Sequence, residues 1–156
     1  MRIVLIYVGK TNKECFRDAI NIYLDKIKYY NKLDVIEIKT INKKNLSKID
    51  VCKREGKLIT AQINHSDHVV LLDDKGVSYT SKGFASKLER WMVLSKKRLV
   101  FVIGGPYGFS DLVCSRADEK LSFSRMTFSH QMIRLFFLEQ LYRAYSIINK
   151  QPYHHE

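Results

Sequence analysis

Three uninterrupted apolar segments of strand length constrain the fold of this chain more than any other feature. They occupy residues 3–8, 69–72 and 99–103, and a fourth segment, 33–41, alternates between apolar and polar residues. Uninterrupted runs of Val, Ile and Leu are typical of strands that are covered on both faces of a parallel sheet. Segments with helical periodicity separate these strands, so the sequence predicts an α/β domain with a mostly parallel sheet flanked by helices.

The predicted helices follow from apolar spacing and from their start signals. A capping box at residues 11–14 predicts the start of the first helix, whose apolar face extends to Ile27. A Lys-rich second helix is predicted from 47 to about 64, and we expect Val51, Leu58 and Ile59 to point inward. A third helix is marked by Phe84, Leu88, Trp91 and Met92. Further helices are predicted from about 110 and from about 129 to 149, and residues 73–76 are predicted to form a turn after the third strand.

Length and charge limit the classes of function. The 156 residues predict one domain, 1–156, and 46% hydrophobic residues suffice for a core, which excludes a disordered tail protein. The 27 basic residues exceed the 16 acidic residues by 11, and so large an excess favours a polyanionic partner such as nucleic acid. The alternative is a Lys-rich surface that is merely well solvated.

Cysteine and hydropathy patterns point to the cytoplasm. The three cysteines are scattered and form no C-x-x-C pair, so we expect reduced thiols and no metal site. His65 and His68 have the spacing H-x-x-H, but no third ligand lies nearby in the sequence, and we interpret them as part of a surface loop. No apolar run reaches the length of a membrane span, and we expect no membrane contact.

Three segments that follow predicted strands are candidates for ligand binding, since ligands of parallel sheets bind at the carboxyl ends of the strands. They cover residues 72–76, 104–108 and 123–130. The second is not a dinucleotide fingerprint, because Pro106 and Phe109 stand where glycines are needed, and no P-loop Gly-Lys-Ser/Thr follows it. In the third, Ser and Thr alternate with Phe and Met. That pattern fits either a site for a polar ligand with an adenine-like ring or a strand followed by a helix that Ser129 caps.

The last predicted helix is apolar around nearly its whole circumference. Such a helix must be covered on more than one side, and in so small a chain a second subunit is the natural source of cover. We therefore predict a homodimer with this helix at the interface. Glu139 and Arg143 share a face at i, i+4 spacing, which is more often a structural ion pair than a catalytic one. Pro152 ends the helix, and three ring side chains follow it.

Several segments of the sequence together resemble the RlmH family. The segments are residues 101–108 (FVIGGPYG), 121–131 (LSFSRMTFSHQ), 139–144 (EQLYRA) and 152–154 (PYH), and the resemblance spans the whole chain. The family comprises SPOUT-class methyltransferases that modify N3 of a pseudouridine in bacterial 23S ribosomal RNA with S-adenosylmethionine (SAM). Two positions depart from the family pattern: Ser129 replaces a proline, and His155 replaces a basic residue.

The resemblance implies a C-terminal trefoil knot that brings the three loops together around SAM, although knots are rare in proteins. It also implies the residues of two sites. The cofactor-binding residues would be Leu72, Gly104, Phe123, Ser124, Arg125, Met126, Thr127 and Phe128. The polar candidates for catalysis are His130, Arg143, Tyr153 and His154.

Methyl transfer to an imide nitrogen requires positioning and removal of a proton. Among the four candidates, His154 is the best proton acceptor by its ordinary pKa, Arg143 could offset negative charge on the uracil ring or a phosphate, and Tyr153 could stack on a base. The alternatives are a non-catalytic ribosome-binding protein and a SPOUT relative that methylates transfer RNA. We expect the assembled ribosome to be the substrate, because so small a domain has few contacts with which to read free RNA.

A basic segment in and before the second predicted helix is the candidate surface for RNA phosphates. A solvated helix face is the alternative explanation of its charges. The segment comprises Lys39, Lys43, Lys44, Lys48, Lys53, Arg54 and Lys57.

Overall fold

A five-stranded sheet in which all strands run parallel forms the middle layer of the computed structural model, which describes residues 1–41 and 44–153. The strands are β1 Arg2–Val8, β2 Leu33–Ile38, β3 His68–Ser78, β4 Arg98–Ile103 and β5 Glu119–Ser122. Their spatial order is β2-β1-β4-β3-β5, so β4 is the central strand and β1 lies beside it. The predicted α/β class with a parallel, helix-flanked sheet is confirmed.

Four described helices connect the strands: α1 Glu14–Ile27, α2 Lys48–Thr60, α3 Ser81–Met92 and α4 Asp111–Arg116. A fifth, α5 His130–Ile148, follows β5. Ser47, Thr80 and Ser129 cap α2, α3 and α5, because each side-chain oxygen accepts a hydrogen bond from a backbone N–H three residues later. The expected cap at Ser129 is therefore present. No described helix is long and apolar enough to cross a membrane.

The apolar runs of the strands divide between two cores. Ile3, Leu5 and Phe101 face one side of the sheet, where they pack with α1, α3 and α5. Val4 and Val102 face the other side, where they pack with residues of α2 and α4. Because helices cover both faces, residues 3–6 of β1 and 99–103 of β4 are buried in succession, which explains their uninterrupted hydrophobicity.

Two predictions about the helices are wrong. Helix α1 begins at Glu14 with Lys13 as its N-cap, and no described side chain caps it. Thr11 is unavailable for capping because its hydroxyl accepts a hydrogen bond from Arg134 Nη1 at 2.8 Å. Leu58 was expected to point inward, but it is 39% exposed, since the buried face of α2 turns toward Val51 and Ile59.

The predicted turn at residues 73–76 is also wrong, because β3 continues through it to Ser78. The segment is an irregularity in the pairing of β3 with β5: Leu72 and Val77 both lie opposite Leu121. The four intervening residues are therefore extra on the β3 side, as in an extended β-bulge. Gly76 belongs to this bulge, and a Cβ atom there would lie 2.6 Å from the carbonyl carbon of Leu121.

The second strand is shorter than predicted, because β2 ends at Ile38 and not at residue 41.

Candidate functional site

A cavity of about 590 Å³ opens beside the bulge of β3 and the carboxyl ends of β4 and β5. Ile103 and Leu121 lie at or near the ends of β4 and β5, and Leu72 lies directly before the bulge of β3; all three line the cavity. This volume lies within the range of small-molecule sites in proteins. The position follows from the topology, since the carboxyl ends of neighbouring parallel strands meet at one edge of the sheet.

The three loops that were candidates in the sequence meet in this cavity. Seven of the eight residues predicted to bind cofactor line it: Leu72, Gly104, Phe123, Ser124, Met126, Thr127 and Phe128. Arg125, the eighth, is exposed and is not part of the lining. His130, from the first turn of α5, also lines the cavity, together with Ile133 one turn later.

The loop after β4 brings its backbone close to other groups. Gly105 and Gly108 form an isolated bridge, with Gly108 N–H donating to Gly105 O at 3.1 Å. Gly108 has φ +77°, a left-handed conformation that glycine adopts without strain. A Cβ atom at Gly105 would overlap the carboxylate of Glu55, which is buried beneath the loop. Glycines here therefore hold the loop against α2 and leave backbone groups toward the cavity.

Internal hydrogen bonds shape the segment between β5 and α5. Ser122 Oγ donates to Ser124 O at 3.0 Å, and Met126 N–H donates to Ser124 Oγ at 2.9 Å. Phe123 is anchored edge-on against Phe84 and Phe137, with ring centroids 6.0 and 6.3 Å away. The 76% exposed side chain of Met126 remains available to contact a ligand. Ser129 caps the helix, as the second interpretation predicts, and the residues before it line the cavity, where the first interpretation places a ligand.

One ion pair in the cavity was not singled out from the sequence. Lys120 Nζ lies 2.9 Å from Asp73 Oδ2, and Lys75 N–H donates to Asp73 Oδ1 at 3.1 Å. Partial burial raises the pKa of the Asp73 carboxyl, but these hydrogen bonds outweigh burial and lower it. The position of Asp73, directly after a buried strand, was a usable signal, whereas nothing in the sequence marked Lys120.

Two of the predicted catalytic residues lie at the opposite end of α5. Arg143 Nε donates to Glu139 Oε1 at 3.0 Å, and the hydroxyl of Tyr153 donates to the same oxygen at 3.2 Å. The guanidinium of Arg143 is 4.8 Å from the centre of the Tyr153 ring. Burial, followed by the hydrogen bond with Tyr23, raises the pKa of Tyr153. We call Glu139, Arg143 and Tyr153 the tail cluster.

The tail cluster and the cavity are separate within one chain. His130 and Arg143 are thirteen residues apart on one helix, which corresponds to about 20 Å along its axis. His154, the remaining catalytic candidate, lies outside the described residues. A single copy of the chain thus brings His130 to the cavity and Arg143 to Tyr153, but it does not bring the two groups together.

The basic segment lies beside the cavity. Its described members, Lys39, Lys44, Lys48, Lys53, Arg54 and Lys57, are all exposed, and Lys43 lies outside the described residues. Lys48 Nζ is 5.8 Å from the ring centre of Tyr107, which lines the cavity. Cys52 Sγ donates to Gly108 O at 3.7 Å, so α2 is in contact with the loop after β4.

No group of three or more potential metal ligands occurs among the described residues. The interpretation of His65 and His68 as a surface loop is correct for His65, which is exposed, and wrong for His68. His68 is buried at the start of β3, and its Nε2 lies 3.2 Å from Glu119 Oε1. Glu119 also accepts a hydrogen bond from Trp91 Nε1 at 2.7 Å, so His68 belongs to a polar network between β3, β5 and α3.

Comparisons with known proteins identify the family. A family model described as "Predicted SPOUT methyltransferase" matches residues 1–154. The chain is 50% identical to a protein of Parabacteroides distasonis and 45% identical to one of Flavobacterium johnsoniae, each over the full length of both chains. It is 48% identical to a protein of Christiangramia forsetii over 99% of both chains. All three relatives are named Ribosomal RNA large subunit methyltransferase H. The resemblance drawn from the motifs is thereby confirmed, and the chain belongs to the SPOUT methyltransferase family.

Proposed function

We propose that this chain is an enzyme that transfers a methyl group from SAM to N3 of a pseudouridine in 23S ribosomal RNA, on the assembled ribosome in the cytoplasm. The observation that carries the proposal is the convergence of the three strand-end loops on one cavity in a chain whose full-length relatives are ribosomal RNA methyltransferases. The knotted path of the C-terminal segment, which the family resemblance implies, is part of the same proposal.

The residues of the cavity fit SAM chemically. Phe123, Met126 and Phe128 offer apolar surface to an adenine ring, and Gly104 lines the cavity directly after β4. Lys120 and Asp73 carry the two signs of charge that the carboxylate and ammonium of an amino acid require. When bound, SAM would supply an electrophilic methyl group on a sulfonium.

The chain's own residues would position the acceptor and manage its proton. Transfer from a sulfonium is an in-line displacement, in which correct placement of the two reactants supplies much of the rate. The imide N3 must also lose its proton, for which His154 is our proposed acceptor. Arg143 would offset the negative charge that develops on the uracil ring, Tyr153 would stack on a base, and His130 would face the acceptor from the cavity wall.

A second copy of the chain would unite these groups. The tail cluster lies about 20 Å along α5 from His130, so the tail of one copy could complete the cavity of another. Half-buried apolar residues on α5 supply a surface for such a partner: Met132, Ile133, Leu135, Phe136, Ile147 and Ile148. We therefore propose a homodimer with α5 at its interface. A two-fold axis would relate the two copies, since this is the commonest symmetry of soluble oligomers.

We expect sedimentation at micromolar concentration to give twice the 18.3 kDa mass of one chain. Met132→Arg should shift the protein to the monomer, because it places an unpaired charge in an apolar interface. Leu94→Arg, at a 39% exposed position at the end of α3, is the control and should leave the mass unchanged. A wild-type monomer under these conditions would contradict the homodimer.

We expect charge reversal in the basic segment to weaken binding to the ribosome. Lys44→Glu with Lys48→Glu reverses two exposed cations of the basic segment, of which Lys48 lies beside the cavity, and should weaken binding. The slope of log affinity against log salt concentration should become shallower by about two. SAM affinity should not change. The same reversal at Lys96 and Lys97, which directly precede the amino end of β4, is the control. Equal effects in both variants would mean that the RNA binds elsewhere.

Nucleoside mass analysis of ribosomal RNA from a deletion strain tests the proposal directly. Loss of one methylpseudouridine from 23S RNA, restored by the wild-type chain, is the expected result. Loss of a methylated nucleoside from transfer RNA instead would favour the alternative that the chain methylates transfer RNA. Calorimetry with SAM separates an enzyme from a protein that only binds ribosomes, because such a protein has no use for SAM.

A further inference from the structure

A second cavity, of about 410 Å³, lies on the other side of α5. It is bounded by β1 and β2 near their carboxyl ends, by α1, by α5 and by the loop after β1. Arg134 and Leu138 of α5 line it, whereas His130 and Ile133 line the first cavity. His130 and Arg134 are one helical turn apart, or about 6 Å along the axis. The two cavities therefore flank the same end of α5.

The guanidinium of Arg134 is the unusual group in this second cavity, because it is buried without a carboxylate in contact. The residue is 2% exposed. Its Nη2 donates to Val8 O at 2.7 Å and its Nη1 to Thr11 Oγ1 at 2.8 Å, and its centre lies 4.0 Å from the ring centre of Tyr7. Nε has no hydrogen-bond partner among the described residues. All of these contact partners are neutral, and Glu37, which lines the same cavity, acts on the charge only from beyond hydrogen-bond contact.

The charges around Arg134 strengthen the positive potential. Lys10 and Arg17 also line the cavity, and Arg17 Nη1 donates to the backbone oxygens of Thr11 and Asn12. Glu37 is the one carboxylate among the described lining residues, which leaves three cations against one anion. Leaving a buried charge without a counterion costs free energy, and an anion that enters the cavity would remove part of this cost.

The second cavity also has an apolar part, next to the polar side chains of Thr11, Asn12 and Asn21. Leu5, Ile20, Leu24 and Leu138 form part of its lining, and the volume is sufficient for a mononucleotide. A cationic rim around an apolar floor matches a nucleotide, whose phosphate is anionic and whose base has apolar faces.

We propose that the second cavity binds the phosphate of a nucleotide, and that this nucleotide is part of the RNA substrate next to the residue that enters the first cavity. The assignment of this nucleotide to the RNA substrate rests on the proposed function. Lys10 and Arg17 contact the phosphate, Arg134 supplies a fixed positive field beneath it, and the apolar floor receives the sugar and base. The site thereby adds contacts that position the RNA for the reaction at the first cavity.

Titration of the isotope-labelled protein with inorganic phosphate and with uridine 5′-monophosphate tests the site by NMR. Both probes should shift the Arg134 Nε–H signal, and the nucleotide should bind more tightly than phosphate. Lys10→Met should weaken binding of both probes by roughly tenfold, the effect of losing one charged hydrogen bond. Glu37→Gln should tighten it, because it removes the opposing charge. Lys96→Met and Glu89→Gln, both exposed and at other positions, are the matched controls.

Ribosome binding identifies the source of the phosphate. Lys10→Met should make the slope of log affinity for the ribosome against log salt concentration shallower by about one. The affinity for SAM should not change. If neither probe shifts Arg134, or if Lys10→Met and Lys96→Met bind both probes equally, the site is refuted. If the probes bind but ribosome binding is unaltered, the assignment to RNA is refuted. If Lys10→Met alters RNA binding but no RNA is methylated, the proposed function fails and the RNA site stands.

Discussion

Removal of residues 152–156 should lower methyl transfer to ribosomes at least ~100-fold, the size of effect expected when a positioned acid–base group is lost. The deletion removes Tyr153 and His154, which we propose act on the acceptor. SAM affinity should change little, because the deleted residues that the structure describes contact none of the cavity loops. Tyr153 contacts Glu139, Tyr23 and Tyr142 instead.

The deletion leaves the attachment of the C-terminal segment intact up to Gln151. Gln151 N–H donates to Ser146 O, and Gln151 Oε1 accepts a hydrogen bond from Tyr30. We therefore expect the truncated protein to fold and to retain its oligomeric state. Single-turnover methylation of ribosomes, together with calorimetry of SAM binding, measures the two effects separately.

Single substitutions divide the effect of the deletion between its parts. Tyr153→Phe keeps the ring but removes the hydroxyl that donates to Glu139, so it should cost much less than the deletion if stacking is the role of Tyr153. Tyr29→Phe is the matched control, because Tyr29 is 89% exposed. A truncated protein that methylates ribosomes at a near-normal rate would contradict the role of the tail. His130 and Arg143 would then be the remaining candidates for catalysis.

The strands and the three cavity loops were predictable because their signals are local. Residues 3–8 and 99–103 are apolar without interruption since helices cover both faces of β1 and β4. In a parallel sheet the carboxyl ends of neighbouring strands lie at one edge, so the loops after β4 and β5 meet beside β3, which lies between these two strands. Placing the loops around one cavity therefore required no knowledge of how α5 packs.

The errors arise where a residue's partner is distant in the sequence. Thr11 has the sequence context of a helix cap, but its hydroxyl is taken by Arg134, 123 positions later. Asp73 to Gly76 have turn composition, yet pairing with β5 continues beyond them at Val77. The second cavity was missed for the same reason, since its cations come from the loop after β1, from α1 and from α5. Periodicity within one segment contains no information about these contacts.

Gly76→Ala should destabilise the protein by about 3 kcal/mol, at the upper end of the cost of overpacking, and lower SAM affinity at least ~10-fold. The added methyl group would lie 2.6 to 2.7 Å from the backbone of Lys120 and Leu121. Backbone atoms of a paired strand cannot rotate away, so β5 must move away from β3. Leu121 and Lys120 line the cavity, and Lys120 pairs there with Asp73, so this movement distorts the proposed cofactor site.

Gly83→Ala is the matched control, because it adds the same methyl group in the first turn of α3. The nearest atom is Thr80 Oγ1 at 3.2 Å, the capping oxygen of α3, which needs to shift by only a few tenths of an ångström. Alanine favours the helix by up to about 1 kcal/mol over glycine, which offsets the cost of that shift. Urea unfolding and calorimetry with SAM should therefore leave this variant close to the wild type. If Gly76→Ala also unfolds and binds SAM like the wild type, β5 is not held rigidly against the bulge of β3, and the junction does not shape the cavity.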